Sequence, residues 1–172
     1  MRACFIVMVL VLATPGVASA DSLRELELIR PSRQQQAPDF SVAGPHGEPL
    51  ALRAFRGKVV FLNFWATWCP PCKEEMPSME RLHRRYKDRG LTMLAISIDS
   101  NGARGVGDFV QKHGLTFLIG LDPKLEIANG YGIRALPSTF LIDRDGNTYA
   151  IALGPRDWDS TVAHAVIESL LR

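Results

Sequence analysis

Three cysteines in 172 residues are too few for a disulfide scaffold, and only two of them, Cys69 and Cys72, stand near each other. A structural zinc site needs two more ligands than that pair supplies. No second cysteine pair exists, and His46, His83, His113 and His164 are scattered along the chain. A charge of one sign is also missing: 20 Lys plus Arg against 18 Asp plus Glu leave a net charge of +2, which gives no electrostatic footprint for nucleic acid. The chain has no internal repeat. Nor does it have an apolar run long enough to cross a bilayer, since Ala3 to Ala13 falls well short of the roughly 20 residues that a spanning helix needs.

That short run has a different reading. Arg2 precedes it, Thr14-Pro15-Gly16 ends it, and Ala18-Ser19-Ala20 offers small residues at an exit, the pattern of a secretory signal. Residues 1–20 are expected to be a signal peptide cut before Asp21, with an uncleaved anchor as the alternative. Cys4 is then an apolar passenger. Cleavage removes one arginine and leaves 152 residues with a net charge of +1, enough chain to bury one ordinary core without cross-links. Residues 21–37 are polar, with Pro31 and Gln34-Gln35-Gln36, and read as a linker or a loosely attached arm. Residues 38–172 form the expected domain.

Within it, 40–42 and 50–52 read as strands joined through Gly44-Pro45-His46-Gly47. Val59 to Trp65 is apolar except for Asn63, as in a strand buried on both faces. Cys72, Met76, Met79, Leu82 and Tyr86 recur at helical spacing up to Gly90, and Pro77 is expected to bend that helix. A buried strand follows at 91–98, then a helix with Val106, Phe109 and Val110 inward and Gly114 at its end. A short extended piece at 116–119 and a brief helix at 123–129 come next. A hairpin of 139–142 and 148–153 flanks Asp143-Arg144-Asp145-Gly146-Asn147. A last helix carries Val162, Ala165, Val166 and Leu170 on one face, capped by Asp159 or Ser160.

Cys69 therefore falls at the amino end of a helix, where backbone N–H groups and the helix dipole stabilise a thiolate. A bridge to Cys72 closes a loop too small to constrain the fold, so the pair points to redox chemistry, with Cys69 as nucleophile and Cys72, one turn inside, as resolving thiol. Pro70 and Pro71 remove two N–H donors. A less stabilised thiolate suits a reductant, since strong oxidants owe their character to a stable reduced form. Glu75 shares a helix side with Cys72, whereas Glu74 points about 100° away. Glu75 is either a partly buried acid that moves the proton of Cys72 or a first-turn acid serving the helix dipole. Trp65 reads as core, and Trp68 as a client contact or a lid. The run Arg81, His83, Arg84, Arg85, Lys87 and Arg89 reads as a solvated face, with a docking patch as the lesser reading.

The stretch Arg56 to Pro77, with Trp68-Cys69-Pro70-Pro71-Cys72 inside it, and the later Leu136-Pro137-Ser138-Thr139-Phe140-Leu141-Ile142-Asp143 resemble the TlpA/ResA-like branch of the thioredoxin superfamily. The resemblance runs from about Pro38 to the end. It implies an α/β thioredoxin fold with an N-terminal β-hairpin extension and a central insertion between the second and third core strands. It implies catalytic Cys69, Cys72 and Glu75, and substrate-binding Trp68, Leu136 and Pro137. Pro137 is the cis-proline facing the disulfide and frees the Leu136 backbone to pair with a client. Asn63 stands where general thioredoxins have a buried aspartate, which makes Glu75 the substitute proton acceptor. Ser138 stands where cytochrome-dedicated relatives tend to have an acid.

The implied activity is that of a protein disulfide reductase with a redox-active disulfide, no cofactor and no metal. It acts in the periplasm or another extracytoplasmic space, free or membrane-tethered, as a monomer. Its implied partners are a disulfide-containing exported client, of the kind met in cytochrome c biogenesis or copper-oxidase maturation, and a membrane thiol-transporting electron donor. A thiol peroxidase is the first alternative, although Ala66 replaces the threonine usual three residues before a peroxidatic cysteine. A copper- or haem-maturation binding module is the second.

Overall fold

The computed structural model describes residues 20–100 and 102–172, so the expected signal peptide lies outside the described residues except for Ala20. Strand β3 (Val59–Trp65) is buried at all seven positions and sets the plan of the domain. β4 (Leu91–Ser97) lies parallel to it, from Val59 opposite Leu91 to Trp65 opposite Ser97. β6 (Ser138–Ile142) pairs antiparallel on its other side, from Val60 opposite Ile142 to Phe64 opposite Ser138. With β1 (Ser41–Ala43), β2 (Pro49–Ala51), β5 (Leu118–Leu121) and β7 (Thr148–Leu153), the order is β2-β1-β5-β4-β3-β6-β7. The architecture is the expected α/β thioredoxin fold. The hairpin β1–β2 joins the sheet through Ala43 opposite Leu121, and the central insertion contributes β5, parallel to β4.

The period of two along a strand sorts side chains between two core layers. Val59, Phe61 and Trp65 pack with α2 (Pro70–Tyr86) and α5 (Thr161–Leu171), whereas Val60, Leu62 and Phe64 pack under the hairpin and α4 (Glu126–Gly130). By the same alternation the lone polar residue of β3, Asn63, faces α2. Pro77 sits inside α2 and offers no N–H to the Lys73 carbonyl. α3 (Ala103–His113) ends on Gly114, whose φ of 61° is the left-handed conformation that favours glycine.

Three expectations are corrected. Residues 21–37 are not a free linker. They begin with α1 (Ala20–Glu25) and bury Leu23, Leu26, Leu28 and Ala37. Ile29 exchanges backbone hydrogen bonds with Ile151 at 2.8 and 2.9 Å, Ala37 N donates to Gly146 O, and Thr148 N donates to Gln35 O. The outer edge of β7 would otherwise present unpaired N–H and C=O groups, and the arm satisfies them. Secondly, β5 starts two residues later than read. Thirdly, Ala165 on α5 is exposed, and Ala163 and Ile167 join Val166 as its fully buried residues, with Val162 and Leu170 packed against the core as expected. Of the two candidate caps, Ser160 is the one used, its hydroxyl accepting from Ala163 N at 3.2 Å.

If the arm is part of the core, Leu26→Ala should lower stability in chemical denaturation by about 2 kcal/mol. A change within about 0.5 kcal/mol, as for a surface position, would show that the arm adds nothing.

Candidate active site

β3 ends at Trp65, and the three residues that follow carry the chain to the start of α2. Asp99 fixes this loop: its carboxylate accepts from Thr67 N (2.9 Å), Thr67 Oγ1 (2.5 Å) and Ser97 Oγ (2.7 Å). Cys69 is then the N-cap of α2, bonded to Cys72 as a disulfide with the Cα atoms 5.3 Å apart. Pro70 and Pro71 occupy the first two helical positions. The first N–H the helix can offer is therefore that of Cys72, and it donates to Cys69 Sγ at 3.3 Å. Cys69 is 4% exposed and Cys72 is fully buried, in keeping with an attacking and a resolving thiol.

A groove of about 420 Å³ runs beside Cys69, lined by Trp68, Pro70, Ile98, Leu125 and Leu136 among others. Trp68 is 63% exposed on its rim, whereas Trp65 is wholly buried. The Leu136–Pro137 peptide is cis, as the resemblance implied. Ser138 is buried, and its hydroxyl donates to Ala135 O at 2.8 Å, so no charge enters the groove there.

One turn beyond Cys72, Glu75 is 2% exposed while Glu74 is in solvent. Asn63 Nδ2 donates to Glu75 Oε1 at 2.9 Å and also to Thr139 Oγ1 at 2.9 Å. Trp158 Nε1 and Arg156 N donate to Oε2 at 3.1 and 3.3 Å. Burial raises the carboxyl from its ordinary value near 4.5 to about 7, against the pull of these three donors and of the Arg156 charge. A group poised there can take a proton from a thiol and return it near neutrality. The structure thus places Glu75 as a buried acid rather than as a solvated first-turn carboxylate.

The basic run is an exposed face, as read, and several of its members make surface contacts. Arg81 pairs with Asp159 and Arg84 with Glu80, both at 2.6 Å, and Arg85 and Arg89 lie over the Tyr86 ring. His83 is partly desolvated, which holds its imidazole below the ordinary value. Arg156, Trp158 and Asp99 escaped the sequence reading. All three lie in loops with no periodic pattern, and for Arg156 and Trp158 the one signal was the need of a buried Glu75 carboxylate for donors.

The geometry agrees with what is known of similar proteins. The AhpC/TSA family model matches residues 34–151. The thiol-disulfide oxidoreductase ResA of Bacillus anthracis is 40% identical over 120 residues, which is 70% of this chain and 69% of that protein. A Chlorobium tepidum protein assigned as thiol:disulfide interchange protein DsbE superposes with a TM-score of 0.75 at 31% identity, covering 82% of this chain and 99% of its own. A secreted thiol-disulfide isomerase from Corynebacterium glutamicum reaches 0.71 at 27% identity, with coverages of 84% and 89%.

Folded protein keeps the Glu75 proton up to about pH 7, whereas the unfolded chain releases it near 4.5. The folded state therefore binds more protons in that window, and stability falls as pH rises through it. In the disulfide form, the stability of Glu75→Gln relative to the parent should increase by about 3 kcal/mol between pH 4 and pH 8. Denaturation midpoints at the two pH values measure this, and a constant difference would rule out the raised carboxyl.

Proposed function

The chain belongs to the AhpC/TSA family and is a ResA-like thiol-disulfide oxidoreductase, and on that premise we propose that it reduces disulfides of exported client proteins. The observation that carries this reading is a disulfide-bonded cysteine at the amino end of α2 with a buried acid one turn beyond its partner.

Reaction begins from the dithiol. The Cys69 thiolate attacks one sulfur of the client disulfide, the client S–S bond breaks, and the leaving sulfur takes up a proton. Glu75 removes the proton of Cys72, whose thiolate attacks Cys69 Sγ. The mixed disulfide breaks, Cys69–Cys72 re-forms, and the second client sulfur leaves as a thiolate that, like the first, is protonated by water. The client gains two electrons and the enzyme loses two. The reaction as proposed uses no cofactor or metal, so another redox protein must return the electrons, in this reading a membrane thiol-transporting one.

The apolar groove and the cis-proline support client docking, with Trp68 on the rim and the Leu136 backbone as the pairing strand. Pro70 and Pro71 support a reducing poise, because a single first-turn N–H reaches Cys69 Sγ. Ala66 is fully buried and puts no hydroxyl beside the site, which disfavours the peroxidase alternative. The amino-terminal pattern and the secreted Corynebacterium relative support an extracytoplasmic, periplasm-like location, and among the described residues no helix is long and apolar enough to cross a membrane. The client class is that of cytochrome c or copper-oxidase maturation, with the uncharged Ser138 favouring a client other than apocytochrome.

In cells, Cys72→Ser should accumulate mixed disulfides through Cys69 that are visible on non-reducing gels and identified by mass spectrometry. The double variant Cys69→Ser, Cys72→Ser should show none. Equal yields from the two would sink the mechanism.

A further inference from the structure

Trp158 lies outside both sequence motifs, yet its contacts converge on the acid of the site. The ring is fully buried and meets Phe61 edge-on, with centroids 4.7 Å apart. Its backbone N–H donates to Ser78 Oγ at 3.1 Å, and Ser78 Oγ donates to the Glu75 carbonyl at 2.8 Å. These contacts lock the indole against the first turns of α2, with Nε1 aimed at Glu75 Oε2. We propose that Trp158 is a positioning residue for the redox reaction: its indole N–H holds Oε2 of Glu75 and favours the carboxylate form that accepts the proton of the resolving thiol. The role rests on the reading of Glu75 as the proton acceptor of Cys72.

The surroundings leave this task to few groups. Asn63 from β3 serves the other oxygen, and Thr139 from β6 bonds to Asn63; both are neutral. From the loop before α5, Arg156 gives its backbone N–H to Oε2 and brings a positive charge. Its guanidinium is committed elsewhere, donating to Leu26 O and Glu27 O and pairing with the Glu27 carboxylate at 3.2 Å. Glu74, Arg81 and Asp157 line a separate cavity of about 420 Å³ that opens onto Glu75. Arg81 is paired with Asp159. From its own helix, Cys72 lies one turn back and carries no proton while disulfide-bonded. Trp158 is thus the side-chain donor to Oε2, and it can be removed with little change of shape.

The test uses oxidised protein, in which neither active-site cysteine titrates. Carbon-13 NMR of labelled glutamate, with the Glu75 signal assigned by its loss in Glu75→Gln, reads the carboxyl directly. Trp158→Phe keeps the aromatic contact with Phe61 and deletes the donor. Its Glu75 midpoint should rise by about one pH unit, the size expected for one hydrogen bond to a charged group. Should Trp158→Phe fold poorly, benzothienylalanine at position 158 keeps the bicyclic shape without the N–H and should give the same rise. A midpoint within about 0.2 pH unit of the parent in either folded variant overturns the proposal. In the reduced proteins, the alkylation profile of Cys72 should move to lower pH, because a Glu75 that stays protonated longer repels the Cys72 thiolate less. A raised midpoint with an unmoved Cys72 profile would confirm the hold of Trp158 on the carboxylate and overturn the base role of Glu75 instead.

Discussion

Taking a carboxylate out of water costs several kcal/mol unless fixed dipoles replace the lost hydration, and Glu75 is almost wholly buried. Its three replacement donors come from two places far apart in sequence: Asn63 on β3, and Arg156 and Trp158 in the loop before α5. The loop is anchored in turn, because the Arg156 guanidinium ties it to the carbonyls of the amino-terminal arm. That arm closes the edge of β7 through Ile29 and Ile151. The edge of the sheet, the arm and the loop therefore support one oxygen of one side chain. Hydrogen bonds within such a linked set are worth more together than pairwise removal suggests, which accounts for a carboxyl held near neutrality rather than driven further up by its burial.

The thiol end of the site is governed by an opposite economy of donors. A helix N-terminus ordinarily presents several free N–H groups to a capping atom, but Pro70 and Pro71 withdraw the first two and leave that of Cys72 for the Cys69 sulfur. The sulfur that attacks is thinly stabilised as an anion, while the acid that serves its partner is richly supplied with donors. Such a division suits donation of electrons: Cys69 is not trapped as an inert thiolate, and Cys72 has a proton acceptor of its own.

How much of this could be read from the sequence depends on periodicity. β3, β6 and the start of α2 were placed to within a residue or two, because buried strands and an amphipathic helix repeat their apolar positions, whereas α2 ends at Tyr86, short of Gly90. Cys69, Cys72 and Glu75 came from spacing along α2. The cis geometry at Pro137 came from resemblance, since an X–Pro bond carries no local mark of its isomer. The arm was misread because its polar composition outweighed Leu23, Leu26 and Leu28, whose burial depends on a sheet edge more than a hundred residues away. Arg156 and Trp158 were missed for a related reason. They lie in an irregular loop, and their value comes only from Glu75 being packed against it.

Glu75 and Cys72 also constrain each other. They occupy neighbouring turns on one buried side of α2, where two negative charges cannot easily coexist. In the disulfide form the carboxyl is the one acid of the pair. Reduction adds a second, and the two then titrate as a coupled set whose apparent values belong to neither residue alone. When Cys72 gives its proton to Glu75, the negative charge moves from carboxylate to sulfur and the buried site holds one anion throughout. When the disulfide re-forms, the negative charge leaves on the client sulfur and Glu75 is left protonated, beside the separate cavity that it lines with Glu74, Arg81 and Asp157.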